Sequence, residues 1–364
     1  MTNRERFIAC ATGKPIDRTP VFFMFGPWGE TVARWQSEGV ENPGGAWADF
    51  DLDRCVGVAG YVNHHFCPGF AHELIERKED GKLIMRDGFG QIIECIEGHS
   101  TIPKIIRSPV ETLEDWQKLK TERLNASDPR RFSQNWKEIA ENLNAADVPV
   151  QIGTYPMGLY GTLRDLVGVE GSLYAFYDEP ELVETIMNDL TDYYIELFDI
   201  ICRDVKVDIL HIWEDMSGKQ GSLISPEHVR QYMLPNYRRL SDFAKAHDIP
   251  VVQVDTDGNC EELIPLFAEA GVNMMLPFEV KAGCDVVEWR KKYPYMSMLG
   301  GIDKTKIAEG RQAIEEEIER IKPLFGKTGY FPALDHLIPP ETSFEDYKYF
   351  TERIIEESRK TTGN

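Results

Sequence analysis

The sequence predicts an α/β protein folded as a (β/α)8 TIM barrel, and three observations predict it. Apolar, β-branched runs alternate with amphipathic helical stretches over most of the chain. These runs repeatedly end in ionisable residues just before a helix, where barrel enzymes build their sites. No Gly-rich dinucleotide fingerprint accompanies them, which favours a closed barrel over an open doubly wound sheet.

The elements follow in order. Val21-Phe22-Phe23-Met24-Phe25 is the first predicted strand, and residues 150–155 form the next clear one. The stretch 180–202 reads as a helix because Leu182, Ile186, Leu190, Tyr194 and Leu197 recur at helical spacing. Residues 209–213 are a strand, and a helix starts at Ser225-Pro226-Glu227, with Ser capping and Pro in the first turn. Residues 251–254 precede a helix over 260–270 that Gly271 stops. Residues 274–278, 296–299 and 330–334 supply three more strands, with an eighth expected in the first half. Residues 40–145 break the rhythm. There Lys82-Leu83-Ile84-Met85-Arg86 and Gln91-Ile92-Ile93-Glu94-Cys95 flank Asp87-Gly88-Phe89-Gly90 as an antiparallel hairpin, and 108–144 is polar and helical. We read this part as a peripheral insertion in a single domain spanning 1–364.

A formal net charge of -21, from 40 basic and 61 acidic residues, repels phosphate backbones and anionic membrane surfaces. Neither nucleic acid nor a membrane is expected as a partner, although a local basic pocket for an anion is compatible with the total. The seven cysteines (Cys10, Cys55, Cys67, Cys95, Cys202, Cys260, Cys284) are odd in number, scattered, and without a C-x-x-C pair, which fits a reducing cytoplasm. The start of the chain has no continuous apolar segment, and no later stretch approaches the length of a membrane span. A soluble, cytoplasmic protein is expected.

The candidate site residues sit at strand ends. Asp255 and Asp257 alternate on one strand and point to one face before Gly258-Asn259 turns the chain away. Two carboxylates so placed share a proton, bind a cation, or divide into acid and base; alternatively Asp257 caps the next helix and Asp255 pairs with an arginine. His336, beside Asp335 and before Leu337-Ile338-Pro339-Pro340, is a candidate general acid or metal ligand. Glu214 and Asp215 end an otherwise buried strand, so Glu214 must have a partner or a task. Glu279 and Asp303 also fall at strand ends, and barrel-internal salt bridges account for Asp303. Of His64 and His65, adjacent in sequence, at most one is expected to reach a pocket. The aromatic loop Phe25-Gly26-Pro27-Trp28-Gly29 lies at a strand end and is suited to stacking on a flat substrate. No H-E-x-x-H or nucleophile-elbow motif occurs, which argues against zincin or serine-hydrolase chemistry.

Taken together these motifs resemble the uroporphyrinogen decarboxylase superfamily. Arg4-Glu5-Arg6-Phe7 with Pro15-Ile16-Asp17-Arg18-Thr19-Pro20-Val21 is similar to its N-terminal signature. Ser225 to Pro235, Val254 to Asn259, Gly300-Gly301-Ile302-Asp303 and Asp335 to Pro340 match its later motifs in order. The resemblance covers nearly the whole chain and implies a distorted (β/α)8 barrel, often a homodimer. True decarboxylases of the superfamily grip tetrapyrrole carboxylates through a Met-Arg-Gln-Ala-Gly-Arg loop; here the stretch is Met24-Phe25-Gly26-Pro27-Trp28-Gly29, without those guanidiniums. The other branch exchanges methyl groups with a corrinoid protein, using zinc held by a His-x-Cys pair and a later Cys. Matched by position, these ligands become Asp255, Asp257 and His336, a harder set still compatible with zinc, with Glu214 as a further candidate.

The resemblance therefore implies a metal-assisted methyltransferase acting on a small O- or N-methylated substrate with a corrinoid protein as partner. Asp257, His336 and Glu214 are its expected catalytic residues, and Phe25, Trp28, Asp215, Glu279 and Asp335 its expected substrate contacts. The alternatives are a decarboxylase or lyase using His336 and Asp257 as acid and base, and a non-catalytic corrinoid- or tetrapyrrole-binding protein.

Overall fold

In chain order the strands are β1 (Val56–Gly57), β2 (Glu73–Arg77), β3 (Lys82–Arg86), β4 (Ile92–Ile96), β5 (Lys104–Arg107), β6 (Val150–Ile152), β7 (Ile209–Trp213), β8 (Ser217–Gly218), β9 (Gly221–Ser222), β10 (Val251–Thr256), β11 (Met274–Pro277), β12 (Ser297–Ile302) and β13 (Tyr330–Leu334). This is a computed structural model, and it describes residues 1–96 and 103–360. Seven of the strands form one parallel sheet in the order β1-β6-β7-β10-β11-β12-β13. Helices follow β6, β7, β10, β11, β12 and β13, so the sheet curls into the expected barrel. All six residues of β10 are buried, as they are along a strand covered on both faces.

The expected first strand, Val21 to Phe25, is corrected. It forms no ladder, because its end groups bond to Asp53 and Ile338 rather than to a strand. Val21 N donates to the Asp53 carboxylate at 2.8 Å, and Asp53 N donates back to the Val21 carbonyl at 2.8 Å. At its other end Pro27 bridges Ile338, with Trp28 N donating to the Ile338 carbonyl at 3.2 Å. The missing strand of the first half is β1. It is only two residues long and lies inside the stretch read as an insertion.

The insertion itself is larger than a hairpin. The β3–β4 pair forms as expected, and β2 and β5 extend it to a four-stranded antiparallel sheet. No alternation marks β2, all of whose residues are exposed.

The helix Pro180–Cys202 forms over the predicted span and buries Leu182, Ile186, Leu190, Tyr194 and Leu197. Each such side chain contributes about 1.5–3 kcal/mol. Ser225 caps the helical segment after β7, its hydroxyl accepting from His228 N at 3.1 Å. One core cluster joins side chains from Phe7 to Ile354. Among the described residues no helix is long and apolar enough to cross a membrane.

Close backbone packing holds the mouth of the barrel. A Cβ on Gly158 would stand 1.7 Å from the Trp213 carbonyl oxygen, so the loop after β6 lies directly on the end of β7. Gly158→Ala is expected to destabilise at or above the usual overpacking cost of about 1–3 kcal/mol. A lower midpoint in urea denaturation checks this; an unchanged midpoint shows that the two loops do not touch.

Candidate functional site

At the C-terminal ends of the strands His336 and Asp257 meet. His336 Nε2 lies 3.4 Å from Asp257 Oδ2, with the side chains 22% and 32% exposed, so the pair is reachable yet partly desolvated. The Phe25 ring stacks on the imidazole at 5.3 Å and 21°, and Trp28 leans over it at 6.2 Å and 32°. The aromatic loop and the histidine, more than 300 positions apart, are joined by the Pro27–Ile338 bridge. Burial lowers the His336 pKa, but the Asp257 carboxylate outweighs it and holds the value above 6.5. A protonated imidazole aligned by a carboxylate is the standard equipment of a general acid.

The remaining charges of the mouth are matched. Arg164 Nη2 pairs with Asp215 at 2.8 Å, and its Nη1 donates to the Asp215 carbonyl at 2.7 Å. That clamp holds Asp215 in the left-handed region at φ 43. Burial raises the Asp215 pKa, Arg164 opposes it, and Asp257 raises it further. Lys304 Nζ donates to Glu279 at 2.9 Å, and the other Glu279 oxygen accepts from Gly258 N at 3.0 Å. Gly258 is positioned closely: its φ is +71, and a Cβ there would stand 2.4 Å from the Ser217 carbonyl.

Two of the expected site residues, Glu214 and Asp335, are buried in the frame of the mouth. Glu214 is fully buried, accepting from Leu159 N and Gly161 N at 3.0 Å each and from the Tyr237 hydroxyl at 2.6 Å. Its carboxyl ties β7 to the N-terminus of the helix Tyr160–Val167, which gives the residue expected to be catalytic a structural use. Asp335 is also fully buried; it accepts from Val280 N at 2.8 Å and Lys304 N at 3.1 Å. It organises the loops after β11 and β12, and burial lifts its pKa to about 6. Asp303 behaves as expected, pairing with Lys281 at 3.1 Å while capping the helix Lys304–Ala308.

Asp255 departs from its expected partners. In register β10 sets Gln253 against His211 and Asp255 against Trp213, and cross-strand partners share a face. Asp255 therefore looks into the barrel, 3.9 Å from His211 Nε2. Burial, then the charges of Asp257 and Asp215, raise its pKa well above the usual carboxylate range, and burial lowers that of His211 to about 4. His211 Nδ1 and Gln253 Nε2 are buried there without a partner among the described residues.

The zinc set implied by the resemblance does not fit this arrangement. Asp257 faces His336 while Asp255 faces His211, and among the described residues no three His, Cys, Asp or Glu side chains converge to hold an ion. His64 and His65 lie apart, under Arg131 and Tyr193, with pKa values lowered to about 3 by burial and then by Arg131. Neither touches the Asp257–His336 pair.

Sequence reading missed Arg164, Lys304 and His211. Lys304 directly follows the Gly300–Asp303 motif, and His211 sits mid-strand among apolar residues, so both carried a signal. Arg164 carried none.

The chain is similar along nearly its whole length to uroporphyrinogen decarboxylases. That of Trichlorobacter lovleyi is 22% identical over 96% of this chain and 98% of that protein, and that of Citrifermentans bemidjiense is 23% identical over 98% and 99%. Among solved structures, a methyltransferase from Methanosarcina mazei shares the fold with a TM-score of 0.60 at 16% identity, covering 98% of this chain and 99% of that one. The family profile described as Uroporphyrinogen decarboxylase (URO-D) matches residues 83–356, three quarters of the sequence, and the chain therefore belongs to the uroporphyrinogen decarboxylase family.

Proposed function

We propose that this protein removes the methyl group of a small, uncharged methoxy compound and passes it to a corrinoid protein. The Asp257–His336 pair beneath Phe25 and Trp28, in a mouth where Arg164 and Lys304 are already paired, carries this reading. The rings receive the flat part of the substrate. His336, charged and oriented by Asp257, donates its proton to the substrate oxygen as the C–O bond breaks. The bonding electron pair stays on oxygen and the methyl group leaves to the acceptor. A reduced corrinoid on the partner protein supplies the nucleophile. An N-methyl ammonium donor would leave as a neutral amine and need no proton, so an oxygen leaving group suits the pair better. The M. mazei structure of like fold, named a methyltransferase, is in keeping with this.

The names of the curated relatives favour a second reading, a decarboxylase or lyase using His336 and Asp257 as acid and base. A polycarboxylate would there meet Asp215, Asp257 and Glu279, with the nearby Arg164 and Lys304 already engaged. A third, non-catalytic reading as a corrinoid- or tetrapyrrole-binding protein would leave the pair without a use.

The test is a panel of methoxylated, N-methylated and carboxylated compounds with free cob(I)alamin as acceptor, followed by the visible spectrum of the corrinoid. Methylcobalamin formed from methoxy donors alone is the expected result; carbon dioxide released from a carboxylated compound without methyl transfer would replace this reading with the second. Because no three ligands converge among the described residues, prior treatment with EDTA is expected to leave the rate unchanged. Activity lost to EDTA and restored by zinc would show that a metal takes the place of the proton donor.

A further inference from the structure

Three guanidiniums from three separate elements line one cavity of about 530 Å³ beside the inserted sheet. They are Arg86 at the end of β3, Arg107 at the end of β5, and Arg123 at the end of the helix Leu113–Arg123. The register explains the first two. Arg86 and Arg107 both pair with Ile92 across β4, Arg107 beside a register irregularity, so both stand at one level, and both reach the cavity. In a chain with 61 acids and 40 bases such convergence is unexpected.

Their charges are unevenly matched. Arg86 is bound to Glu73 at 2.6 Å. Arg107 has no ion pair among the described residues. Arg123 donates from Nη1 to the Pro68 carbonyl at 2.7 Å and the Gly69 carbonyl at 3.3 Å and lies 3.9 Å over the Phe70 ring; among the described residues no carboxylate meets it, and its Nε is buried without a partner. Of the two carboxylates that also line the cavity, Asp115 is turned to its own helix, accepting from Thr112 Oγ1 at 2.8 Å and Thr112 N at 3.0 Å. Glu111 alone remains, beside Ser108. Gly90 packs closely on the Phe70 ring, since a Cβ there would stand 2.8 Å from it.

We propose that this cavity binds a small molecule through a phosphoryl group. Arg107 and Arg123 grip the oxyanion, whose planar forks suit its oxygens. Ser108 donates to it, and Glu111 accepts from a hydroxyl or amine elsewhere on the ligand. The volume is that of an ordinary small-molecule site. The cavity lies near the mouth but apart from its chemistry: Phe89, next to Gly90, meets Tyr155 at 6.0 Å, and Tyr155 meets Trp213 at 4.6 Å.

Isothermal titration of the full-length protein with inorganic pyrophosphate, at fixed ionic strength, tests the site. One saturable site is expected, weakened at least tenfold in Arg107→Gln and in Arg123→Gln and unchanged in Arg203→Gln, an exposed arginine paired with Asp199. Arg107 is exposed, so its variant decides the matter if Arg123→Gln fails to fold. No saturable heat, or equal weakening by Arg203→Gln, overturns the proposal, and tighter binding of succinate than of pyrophosphate overturns the phosphoryl assignment. Retention of binding in His336→Asn is expected, which separates this result from the fate of the methyl-transfer reading.

Discussion

On the proposed reading, His336→Asn is expected to lower turnover by roughly 100- to 10,000-fold, the usual contribution of a positioned general acid. Asparagine keeps a similar size against the Phe25 ring, so the loss is one of proton transfer and not of packing. The pH dependence has a definite sign. His336 must be protonated to act, and Asp257 holds its pKa above 6.5 against the lowering effect of burial. The rate therefore falls as pH rises through that raised value, and Asp257→Asn moves the falling limb to lower pH. A limb that stays in place in Asp257→Asn, or a His336→Asn variant with full activity, would remove the pair from the mechanism. The same shift is linked to stability: a histidine whose folded pKa is raised stabilises the protein fully below about pH 6.5, and this is lost as pH rises through the folded value. If the two residues act as a unit, the double variant is little worse than either single one.

Glu214→Ala gives the largest expected loss of stability, about 3–5 kcal/mol. Three buried donors, Leu159 N, Gly161 N and the Tyr237 hydroxyl, lose their acceptor at once, and a cavity opens between β7 and the helix Tyr160–Val167. Glu214→Gln keeps one acceptor oxygen but sets an amide against a backbone donor, and is expected to cost less, about 1–3 kcal/mol. Urea denaturation gives the size, and turnover per folded molecule gives the role. If Glu214→Ala kept its stability and lost its turnover, Glu214 would return to the catalytic residues.

Much of this molecule was legible in advance wherever local chemistry speaks alone. The helix 180–202 announced itself because its apolar residues repeat at the helical period over more than twenty positions. The strand expected over 251–254, observed as Val251–Thr256, did so by a run of residues suited to burial on both faces. Asp257, His336, Phe25 and Trp28, which the structure brings together, stood out because strand ends that carry ionisable or aromatic groups are exceptions to an apolar pattern. β1 escaped because two residues hold no period, and Val21 to Phe25 misled because an apolar run does not reveal whether a neighbouring strand offers a ladder.

By itself the sequence determined the barrel, the strand ends that carry ionisable groups, and the absence of arginines from the aromatic loop, since these rest on periodicity and residue type within short windows. Only the tertiary structure decided the pairings. Asp257 went to His336, Asp255 to His211, Asp215 to Arg164, Glu279 to Lys304, and Glu214 to a helix N-terminus. The physical reason is that a carboxylate's role depends on the donors and charges within a few ångströms of it. In a barrel those come from other strands and loops, dozens to hundreds of residues away, brought together by a register that no single stretch of sequence contains.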